Sequence, residues 1–232
     1  MPRRLALALV VVIAIFTGPA AGAQQRVVDL DVIATDGAKL RATYYSPGKP
    51  GPGMLLLHQC NMNRKSWTAL GTALAERGIH ALAIDYRGYG DSPRRSSGNE
   101  LAADIDAAFA SLTAQPGVDG TRLAAGGASC GVNNAIQLAR RTNRIRALVL
   151  LSGPTTAGGL AYLREHPTIA IFAAASTSEQ FAVSALSAMT ETSTNSATTL
   201  QVIDRPGHGV PLFDVDTALL PAIVDWLTRV LH

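Results

Sequence analysis

Two side chains in this sequence have the types and context needed for nucleophilic chemistry. Ser129 lies in Gly127-Ala128-Ser129-Cys130-Gly131, which fits the pattern G-x-S-x-G. The apolar run 123–127 before it reads as a buried strand, and residues 132–142 after it have helical spacing. A serine on a tight strand-to-helix turn presents its hydroxyl outward. Small residues two places before and after it let the neighbouring backbone pass closely. The helix that follows points its N-terminus at the same place, which favours developing negative charge. The competing reading is an ordinary glycine-rich turn.

The partner for such a hydroxyl is a base. His208, in Arg205-Pro206-Gly207-His208-Gly209, falls between the last apolar run, 200–203, and a terminal helical segment, 216–231. A histidine on that loop can take the serine proton and later give it to a leaving group. The other histidines sit less favourably: His80 enters a strand, His166 lies near a helix end, His232 is terminal, and His58 ends a central strand.

These residues need a scaffold that brings distant loops together. Residues 26–34 alternate apolar and polar, turn at Asp36-Gly37 and resume over 39–45, an antiparallel hairpin signal. Short continuous apolar runs at 54–57, 80–84, 123–127, 147–151, 168–173 and 200–203 read as strands buried on both faces. Helical spacing appears at 66–77, which stops at Gly78, and at 99–114, 132–142 and 216–231. The Ser/Thr-rich stretch 176–199 carries Phe181, Val183, Leu186 and Met189 at helical intervals and reads as a surface helix plus loop. Buried strands alternating with helices predict an α/β class: a mainly parallel central sheet, helices on both faces and an antiparallel N-terminal hairpin. Such sheets carry their sites beyond the carboxyl ends of the strands. Only about 15 residues separate the strand ending at Leu151 from the one starting near Thr168, so little or no lid is expected. No repeat or linker divides residues 24–232, which read as one domain.

Four segments in this order resemble the α/β-hydrolase superfamily, and its small dienelactone-hydrolase-like and esterase members in particular. They are Leu55-Leu56-Leu57-His58, Asp85-Tyr86-Arg87-Gly88-Tyr89-Gly90-Asp91-Ser92, the Ser129 turn and the His208 loop. The resemblance implies a Ser-His-acid triad with Ser129 as nucleophile. It makes the Asp85 to Ser92 segment mainly structural. It assigns the oxyanion-hole N–H groups to Cys130 and to Cys60, with Gln59 as second choice for the latter. Removing one such donor typically costs about 3 kcal/mol of barrier. The acid departs from the family pattern. An Asp is expected around residues 176–178 and none is present. Glu179 is the nearest carboxylate, although it equally suits the first turn of a surface helix. Asp204 is a second candidate, close in sequence to His208, and the loop after Leu151 offers no carboxylate. The same fold would bring Cys60 and Cys130 close. A Cys60–Cys130 disulfide and two small buried thiols both remain open at this point. Centring the turn on Cys130 as nucleophile would put Val132 where a small residue is needed.

Composition bounds the remaining possibilities. Of the 232 residues, 47% are hydrophobic and 16% charged, which excludes a disordered chain. Arg3 and Arg4, the apolar run 5–16, the break at Gly18-Pro19 and Ala21-Gly22-Ala23 read as a signal peptide over residues 1–23, cleaved before Gln24. An uncleaved membrane anchor is the alternative. Without Arg3 and Arg4 the balance is 18 Lys+Arg to 17 Asp+Glu, so no basic face for nucleic acid is expected. No metal-ligand or nucleotide-loop motif is present, and no cofactor is expected. The expectation is an exported, periplasmic or secreted serine hydrolase. Its substrate would be a small-molecule or surface-presented carboxylic ester, with no stable membrane anchor after cleavage. Two alternatives stand beside it: a non-catalytic binding protein that lost its acid, and a peptidase or amidase.

Overall fold

The computed structural model describes residues 25–93 and 100–232. The proposed signal segment, residues 1–23 with Gln24, lies outside them, as do residues 94–99. Among the described residues, no helix is long and apolar enough to cross a membrane.

The chain forms one eight-stranded sheet. Strand β1 (Arg26–Ile33) pairs antiparallel with β2 (Lys39–Ser46), and β2 pairs antiparallel with β4 (His80–Ile84). From there β3 (Gly51–Leu57), β5 (Val118–Ala128), β6 (Ile145–Leu151), β7 (Ala170–Ser176) and β8 (Thr199–Ile203) continue in parallel, in the order β1-β2-β4-β3-β5-β6-β7-β8. The hairpin turns at Gly37, whose φ of 85° suits glycine.

The continuous apolar runs have two-residue periodicity in space. Leu55, Leu57, Ala125, Leu148, Leu150, Ile171 and Ala173 face one core. Met54, Leu56, Ala124, Val149, Leu151 and Phe172 face the other. Helices α2 (Leu101–Thr113), α3 (Cys130–Thr142), α4 (Ala157–Glu165) and α5 (Gln180–Thr190) cover the first face. Helices α1 (Thr68–Glu76) and α7 (Leu219–Leu231), with the short α6 (Leu212–Val215), cover the second. The runs in β3 to β7 are apolar because both faces are removed from water. The run 200–203, expected to be buried on both faces, instead lies in the edge strand β8 and is only partly buried, with Val202 45% exposed.

Element boundaries depart from the sequence reading in four informative places. β7 runs to Ser176 rather than 173, so its end reaches the loop that carries Glu179. The stretch between β6 and β7, for which the sequence reading gave no helix bounds, holds a nine-residue helix, α4, that ends beside His166. The segment 216–231 starts its helix only at Leu219 and is preceded by α6. The helix expected over 99–114 begins at Leu101, with Asn99 outside the described residues.

A buried guanidinium anchors the loop after β3. Arg64, in a 3-10 turn (Arg64–Trp67), is 1% exposed. Its Nη1 donates to Asp85 Oδ2 at 2.5 Å and Asp91 Oδ2 at 2.7 Å, its Nη2 to Asp29 Oδ2 at 3.1 Å, and its Nε to Thr43 Oγ1 at 3.0 Å. The Arg64 amide donates to Asp85 Oδ1 at 2.6 Å. Asp85 thus has a structural place, tying the loops after β3 and β4 to the N-terminal hairpin. Arg87 does the same a step further out, bridging Asp104 of α2 and Asp36 of the hairpin turn. Taking one partner from a buried pair strands the other, at a cost of about 3–5 kcal/mol. Asp85→Asn should lower the unfolding free energy by that order, read from urea denaturation. A change below about 1 kcal/mol would mean that Asp29 and Asp91 hold Arg64 without it.

Candidate active site

The parallel register sets where the site is. Leu57 pairs with Gly127, Ala128 with Leu151, Leu151 with Ala174, and Ser176 with Ile203. The loops that follow β3, β5, β6, β7 and β8 therefore leave the sheet at one edge. They carry His58 to Cys60, Ser129, Ser152, Glu179 and His208.

Ser129 sits between β5 and α3 with φ 52° and ψ −118°, a left-handed conformation costly for a residue with a side chain. Its amide donates to Leu151 O at 2.8 Å and its carbonyl accepts from Val132 N at 3.0 Å. The flanking glycines explain why the turn closes. A Cβ on Gly127 would overlap Gly131 O, and one on Gly131 would overlap Leu57 O. Cys130 is the first residue of α3, and its N–H makes no backbone hydrogen bond among the described residues.

The loop after β3 meets this turn. Cys60 and Cys130 form a disulfide with Cα atoms 6.0 Å apart, closing a sequence separation of 70. Of the two readings left open for these cysteines, the structure has the bridge. The His58 ring is buried and fixes the peptide beside Cys60. Its Nε2 accepts from Tyr86 N at 3.1 Å, which leaves the proton on Nδ1 to donate to Gln59 O at 2.7 Å. Met62 N donates to the same carbonyl at 3.1 Å. Burial holds the His58 pKa below the ordinary histidine value, which keeps this tautomer neutral. A trans peptide points its N–H opposite to its C=O, so anchoring Gln59 O turns the Cys60 N–H away from the His58 ring. No backbone acceptor among the described residues takes that N–H.

Glu179 and His208 meet directly. Glu179 precedes α5 as its N-cap residue, and its Oε1 pairs with His208 Nδ1. Its Oε2 is buried and has no hydrogen-bond partner among the described residues. Asp204 is placed elsewhere, accepting from Thr177 Oγ1 at 3.2 Å. The two loops are also tied by Ser176, whose Oγ donates to Arg205 O at 2.7 Å, and by Thr177 N donating to Ile203 O at 2.9 Å. The His208 ring is exposed. Among the described residues no hydrogen bond joins it to Ser129 Oγ; such contacts often tighten only when substrate is bound.

The Gln59 side chain points into the protein. It is 2% exposed, and its Oε1 accepts from the Val210 amide, in the chain beyond His208. The sequence carried no signal for this, nor for Tyr86. Tyr86 is buried against His58, and burial pushes its hydroxyl well above the usual tyrosine range. Among the described residues no group of three or more His, Cys, Asp or Glu side chains is placed to hold a metal ion.

A family model for the alpha/beta hydrolase fold matches residues 52–187, more than half of the chain. The chain belongs to the α/β hydrolase fold family. Solved structures agree on the fold. An esterase of Pyrococcus furiosus superposes with a TM-score of 0.66 at 18% identity, covering 90% of this chain and 92% of that one. A dienelactone hydrolase of Anabaena variabilis gives 0.66 at 18% identity, covering 90% and 99%. An esterase of Exiguobacterium antarcticum gives 0.64 at 15%, covering 86% and 99%. An uncharacterized protein of Mycobacterium tuberculosis is 37% identical over 130 residues, 55% of this chain. The match spans 46% of that curated relative, about half of its length. In this α/β hydrolase, the β3, β5, β7 and β8 loops contribute the whole candidate constellation.

The bridge across these loops has a measurable consequence. In the chain-entropy model, a closed loop of this length adds about 4 kcal/mol to stability. Reduction should lower the melting temperature and loosen the Cys60–Cys130 pairing of the two loops. Mass spectrometry of unreduced, alkylated protein should find no alkylated cysteine; two would remove the bridge from the account.

Proposed function

We propose that this chain is a serine hydrolase acting on carboxylic esters by an acyl-enzyme route, in an exported, periplasmic or secreted protein. The observation that carries the reading is the pairing of His208 with Glu179 on loops at the same sheet edge as the strained Ser129 turn. Esterases among the structural neighbours are in keeping with it.

In this mechanism the Ser129 hydroxyl attacks the ester carbonyl as His208 Nε2 takes its proton. Glu179 holds Nδ1–H, which fixes the tautomer that leaves Nε2 free to accept, and its charge stabilises the imidazolium that forms. The oxyanion is met by the N–H groups of Cys130 and Cys60. The first lies at the N-terminus of α3, where the helix dipole favours negative charge. His208 then returns the proton to the alkoxide leaving group. In the second half-reaction it activates water against the acyl-Ser129 ester. The alternative of a binding protein on this fold rests on a missing acid, and the Glu179–His208 pair counts against it. A small or surface-presented ester is the proposed substrate, since only the nine-residue α4 and its short flanks lie between β6 and β7.

A chromogenic ester panel of increasing acyl length, with matched anilides, tests the reaction and separates ester from amide preference. Ser129→Ala and His208→Ala should each lower kcat by roughly 10⁴-fold or more with the fold intact. Cys130→Ala should retain far more turnover than Ser129→Ala; the reverse order would move the nucleophile to Cys130.

The acid is tested separately. Glu179→Gln keeps the shape but offers no charge to the imidazolium, and should lower kcat by roughly 10³–10⁴-fold. Asp204→Asn should stay near wild type. Equal, near-wild-type rates for both would remove Glu179 from the triad.

A further inference from the structure

The side chain of Gln59 links two loops that the proposed mechanism must hold in mutual register. Gln59 follows His58 at the end of β3, one residue before Cys60. Its Oε1 accepts from the Val210 amide at 3.0 Å in a buried contact, across a sequence separation of 151. Its Nε2 donates to Asn61 Oδ1 at 2.9 Å, which holds the amide plane from the other end. Val210 is two residues past His208. The residue between them, Gly209, has φ 65°, and a Cβ there would overlap Gln59 Oε1. The chain after His208 is thus shaped to let this amide in. The backbone carbonyl of the same residue is held by His58 and Met62. Its neighbour Cys60 is covalently joined to Cys130 beside Ser129.

We propose that Gln59 is a positioning residue. Its side-chain amide sets the place of the His208 loop relative to the Ser129 turn and the proposed oxyanion N–H groups. The dipeptide Gln59-Cys60 then ties three loops together: a hydrogen bond reaches the histidine loop, a disulfide reaches the nucleophile turn, and the peptide between them supplies the Cys60 N–H. The inference rests on the hydrolase reading above and deepens it. The His208 ring is exposed, and among the described residues its one hydrogen bond is from Nδ1 to Glu179, which fixes one side of it. The Val210–Gln59 bond supplies a second, independent fixed point. Displacement of a catalytic group by about 1 Å can cost roughly 100-fold in rate, so a buried 3.0 Å bond two residues away bears directly on turnover.

The test replaces Gln59 with Met, which keeps length and removes both polar atoms. Ser129→Ala and His208→Ala are assayed first with the same chromogenic ester. If those variants stay active, the hydrolase reading fails independently of Gln59. If they are inactive, Gln59→Met should lower kcat by roughly 10- to 100-fold and move KM less than about threefold. The low-field proton resonance of His208 Nδ1–H should broaden or shift in Gln59→Met while the rest of the amide spectrum keeps its dispersion. A role confined to stability would leave that resonance and kcat in place below the melting temperature. Gln59→Glu keeps an acceptor for Val210 N–H and should restore the resonance. Asn61→Ala, at an exposed position that does not endanger folding, releases the other end of the amide and should lower kcat without moving KM, by less than Gln59→Met. Wild-type kcat and an unchanged His208 resonance in Gln59→Met, or in Asn61→Ala should Gln59→Met not fold, would overturn the proposal.

Discussion

The backbone at the Ser129 turn must pass within contact distance of itself and of two other stretches of backbone, and most of the molecule is arranged around that requirement. Gly127 lies against Gly131 O, Gly131 against Leu57 O, and Gly153 against Ser129 O, with no room for a Cβ at any of the three. Those contacts join the ends of β3, β5 and β6 to the first turn of α3. They can form only if the three strands are adjacent and in register, as the order β3-β5-β6 provides. They also force Ser129 into a left-handed conformation of the kind that costs roughly 1–3 kcal/mol and survives only where its surroundings dictate it. The two apolar cores supply that dictation. Leu57, Ala125 and Leu150 on one face and Leu56, Ala124 and Leu151 on the other hold the strands from both sides.

Apolar burial is non-directional, so it can bring the loops to one edge of the sheet without fixing their separations. Those separations are set by polar and covalent links, each short and nearly all buried or partly buried. Arg64 and Asp85 fix the root of the loop after β3. The disulfide fixes its tip against α3. Ser176 fixes the loop after β7 to the start of the histidine loop, and Gln59 fixes the far side of that loop. Glu179 and His208 are then held face to face. Turnover at the proposed site would depend on side chains that never touch substrate, because they fix where His208 and the Cys60 N–H stand.

The interior charges fit the same division. Arg64 and Arg87 are almost wholly buried, yet Arg64 is paired with Asp29 of β1 and with Asp85 and Asp91 of the loop after β4, and Arg87 with Asp36 of the hairpin turn and Asp104 of α2. Buried pairs of this kind add little net stability over apolar packing, because desolvation offsets the attraction. Their effect is to make one arrangement of the hairpin, the β3 loop and the β4 loop far better than its neighbours, since any other leaves a charge unpaired.

The sequence by itself determined the architecture and two members of the candidate site. Periodicity and continuous apolar runs specify the hairpin, the buried strands and the helices between them, because burial on one face or two is written in residue type. The Ser129 turn is legible because its constraints are local: a strand, two glycines at fixed spacing and a helix. His208 is legible from its order on the chain. Glu179 could be named only as a candidate, since its distinction from Asp204 depends on β7 running three residues further, to Ser176, and turning Glu179 toward His208. The disulfide, the neutral tautomer of His58 and the inward turn of Gln59 were decided by tertiary structure alone. Each depends on a contact between residues 28 to 151 positions apart. No local propensity records such a contact, because the partner becomes a neighbour only once the sheet order is set.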